Sequence, residues 1–114
     1  MAFPATYNFN YYQGDTYSFT ILPKNSDGTP FDLEDYTAVF TVSTERGTEG
    51  DEYICTATID ATNATVTCTI PHNTGKNFDA AIEHVYDVQI TKDAQVYTLI
   101  TGTISIQREI TGAI

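Results

Sequence analysis

The amino-acid sequence predicts an all-β fold, a sandwich of two packed sheets, on three observations. Apolar and polar residues alternate with period two along most of the chain, as they do in half-buried strands. Turn-forming Gly, Asn, Asp and Pro break that alternation about every 8–12 residues, the spacing of a sandwich or barrel. Composition agrees: the 114 residues include 8 Tyr and 6 Phe but 1 Met and no Trp, and aromatic and β-branched side chains suit a pleated, half-buried surface. Residues 1–114 are read as one domain with a single core, without internal repeat or linker.

The elements follow in order. Asn8 to Tyr11 is a short first strand with Phe9 and Tyr11 on one face. Gln13-Gly14-Asp15 turns the chain into a strand in which Tyr17, Phe19 and Ile21 alternate with Ser18 and Thr20. Asn25-Ser26-Asp27-Gly28 is a hairpin signal, because Gly28 can take the positive φ such a turn demands. Phe31 to Tyr36 reads as an extended corner that caps the core with Phe31, Leu33 and Tyr36. Ala38, Phe40 and Val42 form the inward face of the next strand. Thr44 to Asp51 is polar and aperiodic, so an exposed loop is expected there.

Tyr53, Cys55, Ala57 and Ile59 then face inward, with Thr56 and Thr58 outward. Asp60-Ala61-Thr62-Asn63 closes a hairpin onto Ala64, Val66, Cys68 and Ile70, a register that sets Cys55 opposite Cys68 and Ala57 opposite Val66. Pro71 to Glu83 lacks strand character and is expected to hold one helical turn, pinned to the core by Phe78 and Ile82. Tyr86, Val88 and Ile90 line a further strand, and Lys92-Asp93-Ala94-Gln95 makes the last hairpin. Val96 to Gln107 is a long final strand, in which Gly102 marks a bulge or a close backbone approach. Seven or eight mostly antiparallel strands in this order predict an immunoglobulin-like β-sandwich.

Charge bounds the partners. Fifteen acidic against five basic residues give a formal net charge of −10. Such a surface repels phosphate backbones and anionic lipid, so neither nucleic acid nor membrane is an expected partner. The acidity serves solubility or docking against a basic protein surface. No run approaches the ~20 apolar residues of a membrane span. Met1 to Tyr12 has neither the basic nor the apolar region of a signal peptide, so a reducing cytoplasm is expected. Paired opposite one another, Cys55 and Cys68 could form a cross-strand disulfide; the reducing compartment favours buried thiols. The sequon Asn63-Ala64-Thr65 is then a chance match.

The sequence offers no catalytic set, so an enzyme is not expected. His72 and His84 have no ligand-spaced partner, which argues against a metal site, and each is expected in a loop or at a strand edge. There is no Gly-x-Ser-x-Gly and no phosphate-binding glycine loop, and no cofactor is expected. The carboxylates at Asp32, Glu34 and Asp35, and at Glu49, Asp51 and Glu52, lack the ligand alternation of a calcium loop and read as solvated corners. Asp87, on an otherwise apolar strand, is expected to point outward or to meet a partner.

Interaction cues lie near the ends of the chain. Tyr7, Tyr11 and Tyr12 crowd the start and Tyr97 lies near the finish; each either contacts a partner or covers the end of the core. Met1 to Thr6, with Phe3, and Ile110 to Ile114, with both terminal isoleucines, are apolar enough to act as docking arms. The first and the long final strand are the candidate open edges, and such edges accept strands from neighbours.

Several runs resemble small β-sandwich domains of tailed-bacteriophage particles. These are Gln13-Gly14-Asp15-Thr16-Tyr17, then Asp27-Gly28-Thr29-Pro30-Phe31-Asp32-Leu33 with Tyr36-Thr37-Ala38. Tyr86-Asp87-Val88-Gln89, Leu99-Ile100-Thr101-Gly102-Thr103-Ile104 and Glu109-Ile110-Thr111 are similar to the ending of that family. The likeness runs from Tyr12 to Thr111 and includes immunoglobulin-like modules of baseplates and tail fibres as well as stand-alone virion proteins. It implies a non-enzymatic structural protein, present in many copies in a virion assembled in the host cytoplasm. The tail, baseplate or fibre-attachment region is favoured over a decoration or cement role on the capsid. A module binding host glycan, with the tyrosines as stacking platforms, is the other reading.

Overall fold

The computed structural model describes residues 4–44 and 52–108. The expected loop at 44–51 therefore falls almost wholly outside the described residues, as do Phe3, Ile110 and Ile114. Among the described residues the chain is all-β apart from one helical turn, α1 (His72–Gly75). Its strands are β1 (Ala5–Thr6), β2 (Phe9–Tyr12), β3 (Tyr17–Ile21), β4 (Thr37–Ser43), β5 (Glu52–Asp60), β6 (Thr65–Ile70), β7 (His84–Lys92) and β8 (Gln95–Gln107). They form a continuous path β1-β8-β7-β4-β5-β6-β3, with β2 also on β8.

That path curls into a sandwich because β5 serves two layers. Its first residues, through Cys55, pair with β4; from Thr56 to Asp60 it pairs with β6 instead. One layer is β1/β2-β8-β7-β4 with the start of β5, and the other is the end of β5 with β6 and β3. Pairing is antiparallel except where β1 and β2 run parallel to β8. Alternation decides what fills the space between the layers. Phe40 and Val42 of β4, Val66, Cys68 and Ile70 of β6, Tyr86, Val88 and Ile90 of β7, and Ile104 of β8 all point inward and are sealed from solvent.

The turns hold as their residue types require. Gly14 and Gly28 sit at φ 88° and 86°. The Gly28 turn closes a minimal hairpin, with Lys24 bridged to Pro30, before Leu33 plugs the core at the expected corner. Gly102 marks a close approach: a Cβ there would run into the carbonyl of Tyr7, as the chain passes between β1 and β2. The irregularity in the β7–β8 ladder lies elsewhere, between Val88 and Gln89.

Five expectations need correction. The β5–β6 hairpin pairs Ala57 with Cys68 and Ile59 with Val66, two residues away from the expected register. Asp60 is the last strand residue rather than part of the turn. Its carboxylate accepts from Asn63 Nδ2 at 2.7 Å and from the Asn63 amide at 3.3 Å, and the turn extends to Ala64 at φ 54°. Cys55 and Cys68 are therefore not opposite each other, and both are free, buried thiols. Ile82 does not pin the α1 segment, being 42% exposed; Phe78 does so, its ring packed at a tilt against Tyr11, Tyr53 and His84. His84 is no edge residue: it is fully buried at the start of β7. The final strand, β8, is not an edge, since β7 flanks one side and β1 and β2 the other. Tyr11 is a core residue, as described below.

Candidate functional site

The turn after β2 ties the lower end of the sandwich together. Gln13 Nε2 donates to the Phe78 carbonyl at 2.7 Å. The Tyr11 hydroxyl donates to the Asp15 carbonyl at 2.6 Å, and His72 Nδ1 lies 2.6 Å from the Gly14 carbonyl. Tyr11 is 1% exposed and packs so closely over Gly75 that a Cβ there would strike its ring. Burial pushes its phenol up to about 12. The ring offers nothing to a partner, so the expected contact at Tyr11 is corrected. Its parity with Phe9 was the sequence signal that it belongs inside.

The remaining tyrosines divide. Tyr12 is 56% exposed and Tyr7 41%. Tyr97 is half-buried and packs against Phe31 and Tyr36, with Lys92 Nζ 5.6 Å above the Tyr36 ring. It covers the upper end of the core. Asp87 is half-buried on β7, opposite Thr41 and Thr101. His72 and His84 are not brought together with other ligands: among the described residues no three His, Cys, Asp or Glu side chains form a group able to hold a metal ion.

The outer face of the second layer is a sheet of hydroxyls. Ser18, Thr69 and Thr56 form one cross-strand row, and Thr20, Thr67 and Thr58 the next. Ser18 Oγ and Thr69 Oγ1 lie 2.9 Å apart. Such a face is solvated well and offers little apolar area to a partner. The outer face of the first layer is mixed, with Val39 and Ile54 exposed on neighbouring strands.

A groove with apolar walls lies where the two ends of the curled sheet meet. The N-terminal strands β1 and β2 face β3 across the sandwich edge, the two running in opposite directions. At the lower end they are closed by aromatic rings. Phe9 stacks on Tyr17 with centroids 4.7 Å apart at 14°, Tyr7 stacks on Phe9 at 5.4 Å, and the Tyr7 and Tyr17 hydroxyls are 3.1 Å apart. Burial, reinforced by the Tyr7 hydroxyl, pushes the Tyr17 phenol up to about 12.

Above this closure the strands part. Between them lies an open groove of about 440 Å³, walled by Ala5 and Tyr7 on one side and Phe19 and Ile21 on the other, over Ile100. Thr6 and Thr20 complete its lining. The expected docking arm at Met1 to Thr6 is thus in part a strand: Ala5 and Thr6 pair with Ile100 and Thr101. Sequence reading missed the groove, because it is made by strands that do not pair with each other and lie at opposite ends of the sheet path. Comparison with protein-family models and with curated proteins finds no match to this chain.

Proposed function

We propose that this protein is a non-enzymatic structural component of a tailed-phage particle that docks to neighbouring virion proteins, in many copies, through the open edge of its sandwich. The observation that carries the docking half is the seam, where a groove walled by Tyr7, Phe19 and Ile21 lies beside a β3 edge that has no strand partner among the described residues, while the neighbouring sheet face is covered with hydroxyls. A free strand edge invites association, because its unpaired N–H and C=O groups can accept a neighbour's strand.

The particle setting rests on the sequence likeness, and the residues that carry it are ones the fold needs. Gln13 and Gly14 latch the lower end, Gly28 turns the upper hairpin, Leu33 fills the core, and Gly102 lets the N-terminal segment run close beside β8. The tail, baseplate or fibre-attachment region is the favoured address. A glycan-binding module is the weaker reading, since a row of stacking tyrosines would need Tyr11 and Tyr97 outside, and both are engaged in packing.

Immunogold electron microscopy of intact particles, with antibody raised to the recombinant chain, tests this. Gold at the tail tip or fibres is the expected result, and gold on the head shell would move the protein to capsid decoration. Unlabelled particles that also lack the protein by mass spectrometry would remove the virion reading.

A further inference from the structure

We propose that the seam is a strand-acceptor site: an extended segment of a neighbouring protein, apolar at alternate positions and flanked by Lys or Arg, adds to the free edge of β3 and fills the groove. This rests on the docking reading above and gives it a partner of defined chemistry.

The backbone supplies the first half of the argument. Among the described residues β3 has a strand neighbour, β6, on one side, and the sheet path ends at β3. In an antiparallel pair alternate residues turn their N–H and C=O away from the partner. Half of the Tyr17–Ile21 backbone therefore points into the seam, ready to pair. A strand laid there sends every second side chain inward onto Phe19, Ile21, Tyr7 and Ile100. Its other side chains lie beside Ser18 and Thr20 at the edge of the hydroxyl face, where polar residues are favoured. The occupant must alternate.

Charge supplies the second half. The Tyr7–Tyr17 contact closes the lower end of the seam, so the groove opens toward the upper end of the sandwich. That end gathers the 22–36 connection and the β5–β6 and β7–β8 hairpins. These carry Asp27, Asp32, Glu34, Asp35, Asp60 and Asp93 against Lys24 and Lys92. Hydrogen bonds from Thr29 to Asp27, and from Asn63 to Asp60, hold both carboxyls below the usual range, so they stay ionised. A second copy of this chain, itself at −10, would be repelled there, whereas basic flanks would be attracted.

The probe is a fluorescein-labelled synthetic peptide, Lys-Arg-Val-Thr-Ile-Thr-Val-Thr-Lys-Arg, titrated with the full chain and read by anisotropy. Expected are saturable binding, weakened at least about tenfold when salt rises from about 50 to about 300 mM, and slowed hydrogen exchange at the β3 amides. Ala5→Arg, which fills the groove from its exposed wall, should abolish binding; Thr20→Arg is the alternative if that variant fails to fold. Val39→Arg adds the same charge on the outer face of the other layer and should leave affinity within about twofold. Three results would overturn the proposal: equal binding by a peptide of the same composition with its three apolar residues adjacent, an unchanged affinity in Ala5→Arg, or unprotected β3 amides. Dimerisation of the chain without peptide, protecting the same amides, would overturn the choice of partner. None of these outcomes touches particle labelling, so failure here is distinguishable from failure of the virion reading.

Discussion

Gly102→Ala should destabilise the fold by about 3 kcal/mol, although the new methyl group is small. A Cβ at this position collides with the Tyr7 carbonyl and sits 2.9 Å from Asn8 Oδ1. Neither neighbour is free to move. The Tyr7 carbonyl accepts from the Tyr86 hydroxyl at 2.6 Å, the Tyr7 amide donates to Thr101 O at 3.0 Å, and Asn8 Oδ1 accepts from the Thr103 amide at 2.9 Å. Displacing the segment leaves the hydroxyl of Tyr86, a residue only 2% exposed, without its acceptor, at ~1–3 kcal/mol. The two more exposed bonds contribute ~1 kcal/mol each where water does not replace them. Replacing Gly by Ala gains only ~0.5–1 kcal/mol of backbone entropy, so the collision wins. Urea unfolding should show the full loss, with Tm lower by about 12 °C. Gly28→Ala is the control: it has open space around it but a φ of +86°, and should cost only ~1–2 kcal/mol. On a Tyr86→Phe background the Gly102→Ala cost should shrink, because both changes break one contact. A Gly102→Ala protein within about 0.5 kcal/mol of the parent would refute the reasoning.

Three further outcomes follow from the same geometry. His84 Nδ1 bonds the Ile82 carbonyl at 2.9 Å, but Nε2 is buried without a partner among the described residues; His84→Leu should therefore raise the urea midpoint, by the equivalent of about 1 kcal/mol. Ala64 sits at φ 54°, where a side chain is strained, so Ala64→Gly should stabilise by ~0.5–1 kcal/mol in the same assay. Burial pushes Cys55, Cys68, Tyr11 and Tyr17 each up to about 12 and raises Tyr86 likewise. The folded chain then keeps protons that the unfolded chain loses near ~8.5 for thiols and ~10 for phenols. That stability is whole below about pH 8 and is lost as pH rises toward about 12. A urea midpoint that stays level to pH ~11 would contradict the burial of these groups.

Strands were legible in the sequence wherever one face is apolar and the other is Thr or Ser. Tyr17-Ser18-Phe19-Thr20-Ile21 and Thr65 to Ile70 announce both period and orientation, and the structure keeps both. Register was less legible, because it turns on one hydrogen-bonding choice. Asp60 read as a turn residue, yet its carboxylate caps the turn from the last strand position and shifts every pair by two. Burial of His84 was hidden by its own polarity, and only the Tyr86-Val88-Ile90 parity, extended backwards by one step, points to it. Exposure of Val39 and Ile54 was visible in the same way, as the off-parity neighbours of Phe40 and Cys55. The groove was not legible at all, since no local pattern says which two strands will fail to pair.

If the groove takes a strand as proposed, stability and docking are coupled through one of its walls. Ala5, Thr6 and Tyr7 form the wall, and their position is set by contacts that lie outside the groove: Tyr86 holds the Tyr7 carbonyl and Tyr17 meets its hydroxyl. Parallel pairing to β8 continues in the same offset on both sides of Tyr7, from Ala5↔Ile100 to Phe9↔Ile104. The segment therefore crosses Gly102 without slipping register, its lost ladder bonds replaced by the side chains of Tyr86 and Asn8. A wall held in this way is pre-organised, and an incoming strand does not have to order it. It follows that Tyr86→Phe, which keeps the ring that packs edge-on against Phe19 and removes only the hydroxyl that holds the Tyr7 carbonyl, should weaken strand binding beyond what its stability loss explains. Loosening that wall returns to the binding step an ordering cost that the folded core had already met.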